Sequence, residues 1–125
     1  ALNMAKSKLT DSEWLVLCAL WQDNQALGDI TDALRLQTGW SRNTVHTYLT
    51  RMAEKGLVDI DRNSTPHLYR AGLTRAECET AERRSLLDRV YQGSAGRLVA
   101  AFVRDGSLSA EEREELRRLL DEMEV

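Results

Sequence analysis

The chain has 125 residues, of which 42% are apolar and 30% charged, with a single proline and a formal net charge of −3. This is the composition of a soluble globular protein holding one compact domain, or a small domain with an appendage, and it offers no global electrostatic argument for nucleic acid. No apolar run approaches the roughly 20 residues of a membrane-spanning helix, so a cytoplasmic protein with no membrane partner is expected.

Ala1-Leu2-Asn3 ahead of Met4 reads as the remnant of an expression tag, and residues 1–8 are assigned to that remnant and a flexible N-terminus. Thr10-Asp11-Ser12-Glu13 is a capping box that opens a first helix. Its residues Trp14, Leu17, Cys18 and Trp21 form one stripe, which Leu15, Val16 and Leu20 widen until the helix is apolar nearly all round and belongs at the centre of a core. After the breaker Asp23-Asn24-Gln25-Ala26-Leu27-Gly28-Asp29, a short second helix turns Ile30, Ala33 and Leu34 inward and ends at Thr38-Gly39. Ser41 caps a third helix with Val45, Tyr48, Leu49 and Met52 on its apolar stripe, and Gly56 closes it.

From Leu57 the period changes to two. Leu57 to Asp61 alternates, Arg62 to Pro66 is turn-rich and His67 to Arg70 alternates again, the pattern of a β-hairpin. Helix, short helix, helix, hairpin is the order of a winged helix-turn-helix domain, with the third helix offered to DNA. The fold class expected is therefore mainly α with a small β-hairpin: a winged-helix DNA-binding domain over residues 9–72 and a three-helix dimerisation region over 73–125.

In that second region Thr74-Arg75-Ala76-Glu77 and Ser109-Ala110-Glu111-Glu112 are further capping boxes. The three short helices carry Leu86, Leu87, Val90 and Tyr91, then Leu98, Val99 and Phe102 beside Ala95, then Leu116, Leu119, Leu120 and Met123. About four large apolar residues per helix are too few for an independent core. They need a partner surface, for which a second copy of the chain is the simplest candidate and the head domain the alternative. Residues 1–72 hold eight Lys/Arg against eight Asp/Glu, and 73–125 hold nine against twelve, so the charges are 0 and −3 and the acidity lies in the tail.

Away from its apolar stripe the third helix presents Asn43, His46, Thr47, Thr50 and Arg51, with Glu54 as its single acid. A solvated face ordinarily mixes Glu and Lys, whereas short donors, methyl groups and Arg or Asn suit the base edges of a major groove. Arg42, Asn43, His46 and Thr47 occupy the first turns, where bases are read. Thr50, Arg51 and Lys55 lie where phosphates are expected, as do Ser41 and Thr44 at the positive helix end, and Arg62 and Asn63 of the hairpin are placed to reach adjacent backbone or the minor groove. A winged-helix protein–protein module without DNA binding is the alternative.

Leu9, Glu13, Val16, Leu17, Leu20, Trp21, Trp40-Ser41, Thr44-Val45, Thr47, Leu49, Arg51-Met52 and Lys55-Gly56-Leu57-Val58 in the head resemble the BlaI/MecI penicillinase repressor family, which includes the CopY copper-responsive repressors. Leu86, Leu87, Arg89, Tyr91, Gly93-Ser94, Leu98-Val99, Phe102, Leu108-Ser109, Glu112, Leu116, Leu119 and Leu120 carry the resemblance through the tail. It implies a homodimeric bacterial repressor on palindromic double-stranded operator DNA, with Ser41, Asn43, Thr44, Thr47 and Arg51 facing that DNA. Copper-responsive members carry C-terminal Cys-x-Cys motifs, absent from the Asp121-Glu122-Met123-Glu124-Val125 end, so no metal site is expected. β-Lactam-responsive members are cut at an Asn-Phe step, to which Ala101-Phe102 corresponds, so a sensor protease acting there is a candidate partner. His46 and His67 lack a paired carboxylate or nucleophile, there is no Gly-rich phosphate loop, and Cys18 and Cys78 lack metal-ligand spacing; no enzymatic activity and no cofactor are expected.

Overall fold

A computed structural model of the protein describes residues 9–123, so the tag remnant and N-terminus assigned to residues 1–8 lie outside the described residues. Three helices, α1 (Asp11–Gln22), α2 (Leu27–Thr38) and α3 (Arg42–Glu54), precede the antiparallel strands β1 (Val58–Asp61) and β2 (Leu68–Ala71). Then come α4 (Arg75–Tyr91), α5 (Ala95–Arg104) and α6 (Ala110–Glu122). The chain divides into two compact units, one ending at Arg83 and one beginning at Arg84. The first extends past residue 72 because the opening turns of α4 are part of it, and Cys78 there is fully buried.

The local signals explain the element starts. Glu13 N–H donates to Thr10 Oγ1 at 3.1 Å while Thr10 N–H donates to Glu13 Oε1 at 2.9 Å, completing the α1 capping box. Reciprocal bonds of the same kind open α4 at Thr74 and Glu77, and α6 at Ser109 and Glu112. Gly39 (φ 67°) and Gly56 (φ 81°) are left-handed and end α2 and α3, as a residue without a Cβ does at little steric cost.

In the first unit α1 packs on α2 and α3, and the hairpin closes against α1 and α3. Val16, Leu17 and Leu20 meet Ile30 and Leu34, the α3 seam Val45, Leu49 and Met52, and Leu57, Val58 and Tyr69 from the hairpin. The hairpin pairs Val58 with Ala71 and Asp61 with Leu68, and the backbones of Gln25 and Tyr69 exchange hydrogen bonds of 3.1 and 2.8 Å that add a bridge beside β2. Trp21 Nε1–H donates to the Leu73 carbonyl at 2.8 Å, and the Arg75 guanidinium lies 4.8 Å over its ring.

The expected inward face of α2 is corrected at one position. Ala33 is exposed, whereas Thr31 is buried and its hydroxyl donates to the Leu27 carbonyl at 2.8 Å. The seam is thus Leu27, Ile30, Thr31 and Leu34, an i, i+3, i+4, i+7 set hidden in the sequence by a threonine whose one donor is satisfied locally.

The second unit is helical. Gln92 (φ 49°) and Gly93 (φ 79°) break α4 from α5, and Ser94 Oγ accepts the Arg97 N–H at 3.2 Å to cap α5. Among the described residues from Arg84 onward, no side chain is fully buried. Leu86, Leu87, Tyr91, Leu98 and Leu116 are half-buried, and Val90, Val99, Phe102, Leu119, Leu120 and Met123 are exposed. Val103, which the sequence reading did not single out, is 54% exposed one turn beyond Val99. Among the described residues no helix is long and apolar enough to cross a membrane.

Candidate nucleic-acid interface

The geometry of α3 follows from a rigid inner seam and a strong cap. Val45, Leu49 and Met52 have no exposed surface, so the helix is held in rotation by its core. Ser41 Oγ accepts the Thr44 N–H at 3.2 Å and lies 3.2 Å from Thr44 Oγ1, which fixes the first turn and half-buries Thr44. Trp40 stacks on Tyr48 with centroids 4.7 Å apart and planes 24° from parallel, bracing the same turn from its flank.

With the seam fixed, Arg42, Asn43, His46, Thr47 and Arg51 project to solvent and Thr50 is half-buried at their edge. Thr47 Oγ1 donates back to the Asn43 carbonyl at 3.0 Å, which leaves its lone pairs free to accept. The face therefore offers an amide, an imidazole, a hydroxyl with a methyl and two guanidinium groups. Among the described residues, none of Arg42, Arg51 and Arg62 is held in an ion pair.

Arg42 contributes something the sequence did not reveal. Its guanidinium lies over the α-carbon of Gly28, with Cζ 3.4 Å from where a Cβ would stand. Gly28 sits in the first turn of α2, whose N-cap Ala26 provides no side-chain acceptor, so uncapped backbone N–H groups and a guanidinium adjoin one another. The signal available in the sequence was a glycine in a first helical turn, a pattern with many causes.

The hairpin tip is set by Asp61. Its carboxylate accepts the Asn63 N–H and the Ser64 hydroxyl, each at 3.0 Å. The Asn63 N–H first and the Ser64 hydroxyl second hold its pKa below the ordinary aspartate value. Arg62 and Asn63 are left exposed at the tip, and Arg70 pairs across the strands with Asp59 at 3.6 Å. Lys55, expected at a phosphate, is 53% exposed at its side chain, and its ammonium donates to Glu13 Oε2 at 2.9 Å. Among the described residues no group of three His, Cys, Asp or Glu side chains is arranged to hold a metal ion.

The family model described as penicillinase repressor matches residues 9–122. The chain belongs to the penicillinase repressor family. It is 28% identical over 115 residues to the methicillin resistance regulatory protein MecI of Mammaliicoccus sciuri, covering 91% of this chain and 94% of the relative. To the penicillinase repressor of Bacillus licheniformis it is 25% identical over 116 residues, covering 92% and 91%. A solved structure concerned with regulation of DNA binding of Bordetella bronchiseptica BpsR by 6-hydroxynicotinic acid aligns at a TM-score of 0.42 and 26% identity, over 94% of this chain and 80% of that one. Membership of this family makes the protein a bacterial transcriptional repressor, acting on DNA, and not an enzyme.

Proposed function

We propose that the protein represses transcription as a homodimer on a palindromic operator, with α3 of each protomer in the major groove and the hairpin beside it. The observation that carries this reading is the outward face of α3: Asn43, His46, Thr47 and Arg51 are exposed on a helix whose opposite side is sealed in the core. Arg42, Asn43, His46 and Thr47 read base edges. Arg51, Thr50, Ser41 and Thr44 contact phosphates, with the α2 N-terminus beside Arg42 and with Arg62 and Asn63 of the wing. Lys55 is not counted among the contacts.

The dimer is formed by the second unit. A set of helices with no buried side chain of its own is supported by a partner, and Val90, Val99, Phe102, Val103, Leu119, Leu120 and Met123 are the exposed apolar residues available for it. Release by a sensor protease near Ala101-Phe102 belongs to the same proposal. That step lies inside α5, so cleavage requires the helix to unwind locally, which the lack of buried side chains in α5 favours.

The test is the salt dependence of binding to a duplex selected by the protein from a random pool. Log affinity falls steeply with log salt concentration, Arg51→Ala flattens that slope by about one unit, and footprinting finds two half-sites about 10 base pairs apart or a multiple of it. Affinity indifferent to salt, or a single unrepeated half-site, refutes the reading.

A further inference from the structure

Among the described residues Glu13 is the only charged side chain that is buried, at 5% exposure. Both carboxylate oxygens are engaged. Oε1 accepts the Thr10 N–H that completes the α1 cap, and Oε2 accepts Lys55 Nζ from 42 residues away. Lys55 is the C-cap residue of α3, and the next two residues leave the helix through tight bonds, Gly56 N–H to the Ala53 carbonyl at 3.1 Å and Leu57 N–H to the Met52 carbonyl at 2.9 Å. The carboxylate therefore grips the point where α3 becomes β1.

A second brace sits at the other end of the same helix, where Ser41 caps it and Trp40 stacks on Tyr48. The buried seam already holds α3 in rotation; a charge-assisted hydrogen bond to an immobile carboxylate adds a directional restraint at its C-terminal end, which apolar contacts do not supply. Burial disfavours the charged carboxylate, so the lysine at 2.9 Å and the capping N–H are what sustain it there.

We infer that Glu13 and Lys55 are a positioning pair that aligns the recognition helix for operator sequence, with Lys55 acting inside the protein and not on a phosphate. This rests on the reading of α3 given above. The pair sets how well the right bases are met, and leaves the sequence-independent attraction to DNA as it was.

Three roles give three different results when the full-length chain is titrated with its pool-selected duplex and with a scrambled duplex of equal composition. For Lys55→Met the positioning role lowers affinity for the selected duplex about tenfold more than for the scrambled duplex, the scale of a partly exposed pair, and leaves the salt slope unchanged. A phosphate contact instead weakens both duplexes and flattens the slope by about 0.9. A purely stabilising role scales both affinities by the folded fraction read from a urea melt. Either of the last two overturns the inference.

Glu13→Gln separates them again, since it removes a negative charge and keeps an acceptor for the cap. Loss of selectivity is expected even though electrostatic attraction to DNA rises; tighter binding to both duplexes overturns the proposal. If the wild-type chain selects no duplex at all, the groove reading fails, and the pair is judged in the free protein by amide exchange. Lys55→Met must then accelerate exchange at Gly56 and Leu57 more than at the amides of α2, and uniform acceleration refutes it.

Discussion

Replacing Phe102 is the sharpest probe of how the second unit is stabilised. A phenylalanine presents about 200 Å² of surface, so its 48% exposure leaves about 100 Å² bare in the single chain. At about 25 cal/mol per Å² that area is worth about 2.5 kcal/mol when covered, or about 5 kcal/mol for the two copies related by a dimer axis. Phe102→Ala forfeits most of this and raises the dimer dissociation constant by about a thousandfold, while Phe102→Asp adds the penalty of a buried unpaired charge. The head should tolerate the change, because Phe102 is outside its buried cluster and no residue of α5 is buried within one chain. Sedimentation velocity of the aspartate variant is expected to show monomers, with the cooperative urea melt of the head retained. Leu36→Asp is the control, since Leu36 is fully exposed in the head and its substitution leaves the sedimentation of the dimer intact. A Phe102→Asp chain that sediments like the wild type at micromolar concentration refutes the reasoning.

The other predictions address the head. Gly72→Ala puts a Cβ 2.7 Å from the Gly56 carbonyl oxygen and 3.2 Å from the Leu57 carbonyl carbon, both backbone atoms, so the hairpin base must shift and urea melts should show a loss of about 2 kcal/mol. Trp40, stacked beside the groove face, should change its emission as selected duplex is added, and a Trp40→Phe chain that gives the same signal amplitude contradicts the assignment of that face. Burial raises the Glu13 pKa, but the Lys55 hydrogen bond, the Thr10 N–H and the Lys55 charge outweigh it and leave it below the ordinary glutamate value. A depressed carboxylate contributes stability that is fully present above the unfolded pKa of about 4.3 and lost as pH falls through the folded value, so acid should cost the wild type more stability than it costs Glu13→Gln.

Features that depend on neighbours along the chain were readable from the residues, and those that depend on distant partners were not. Capping boxes act over three residues, and all three predicted from Thr10, Thr74 and Ser109 open helices. The seam of Val45, Leu49 and Met52 follows from helical period alone. Glu13 illustrates the opposite case: the sequence marks it as half of a capping box, and only the fold brings Lys55 to its second oxygen. The hairpin began at Val58, one residue inside the alternating stretch, and gained a bridge from Gln25 that lies in what the sequence marks as a breaker. Such pairings have no local pattern, because one backbone hydrogen-bond pair needs no particular side chain. The outward face of α3, Asn43, His46, Thr47 and Arg51, was predictable from helical period, being opposite the apolar seam.

On the proposed reading the two units divide the work of repression in a way their packing explains. The head holds a buried seam under α3, so the contact surface proposed for DNA is already formed in the free protein and little ordering is required on binding. The tail holds no buried side chain within one protomer, so on the proposed reading its order depends on the partner chain. Under that arrangement a half-site contact made by one head is converted to an intramolecular second contact only while the tails remain joined, and the gain from linking can reach about a hundredfold or more without any new protein–DNA contact. Anything that breaks the tail, whether a cut near Ala101-Phe102 or a charge at Phe102, then removes that gain while leaving each head folded and each α3 unchanged. A repressor built this way is switched off by acting on its least stable part.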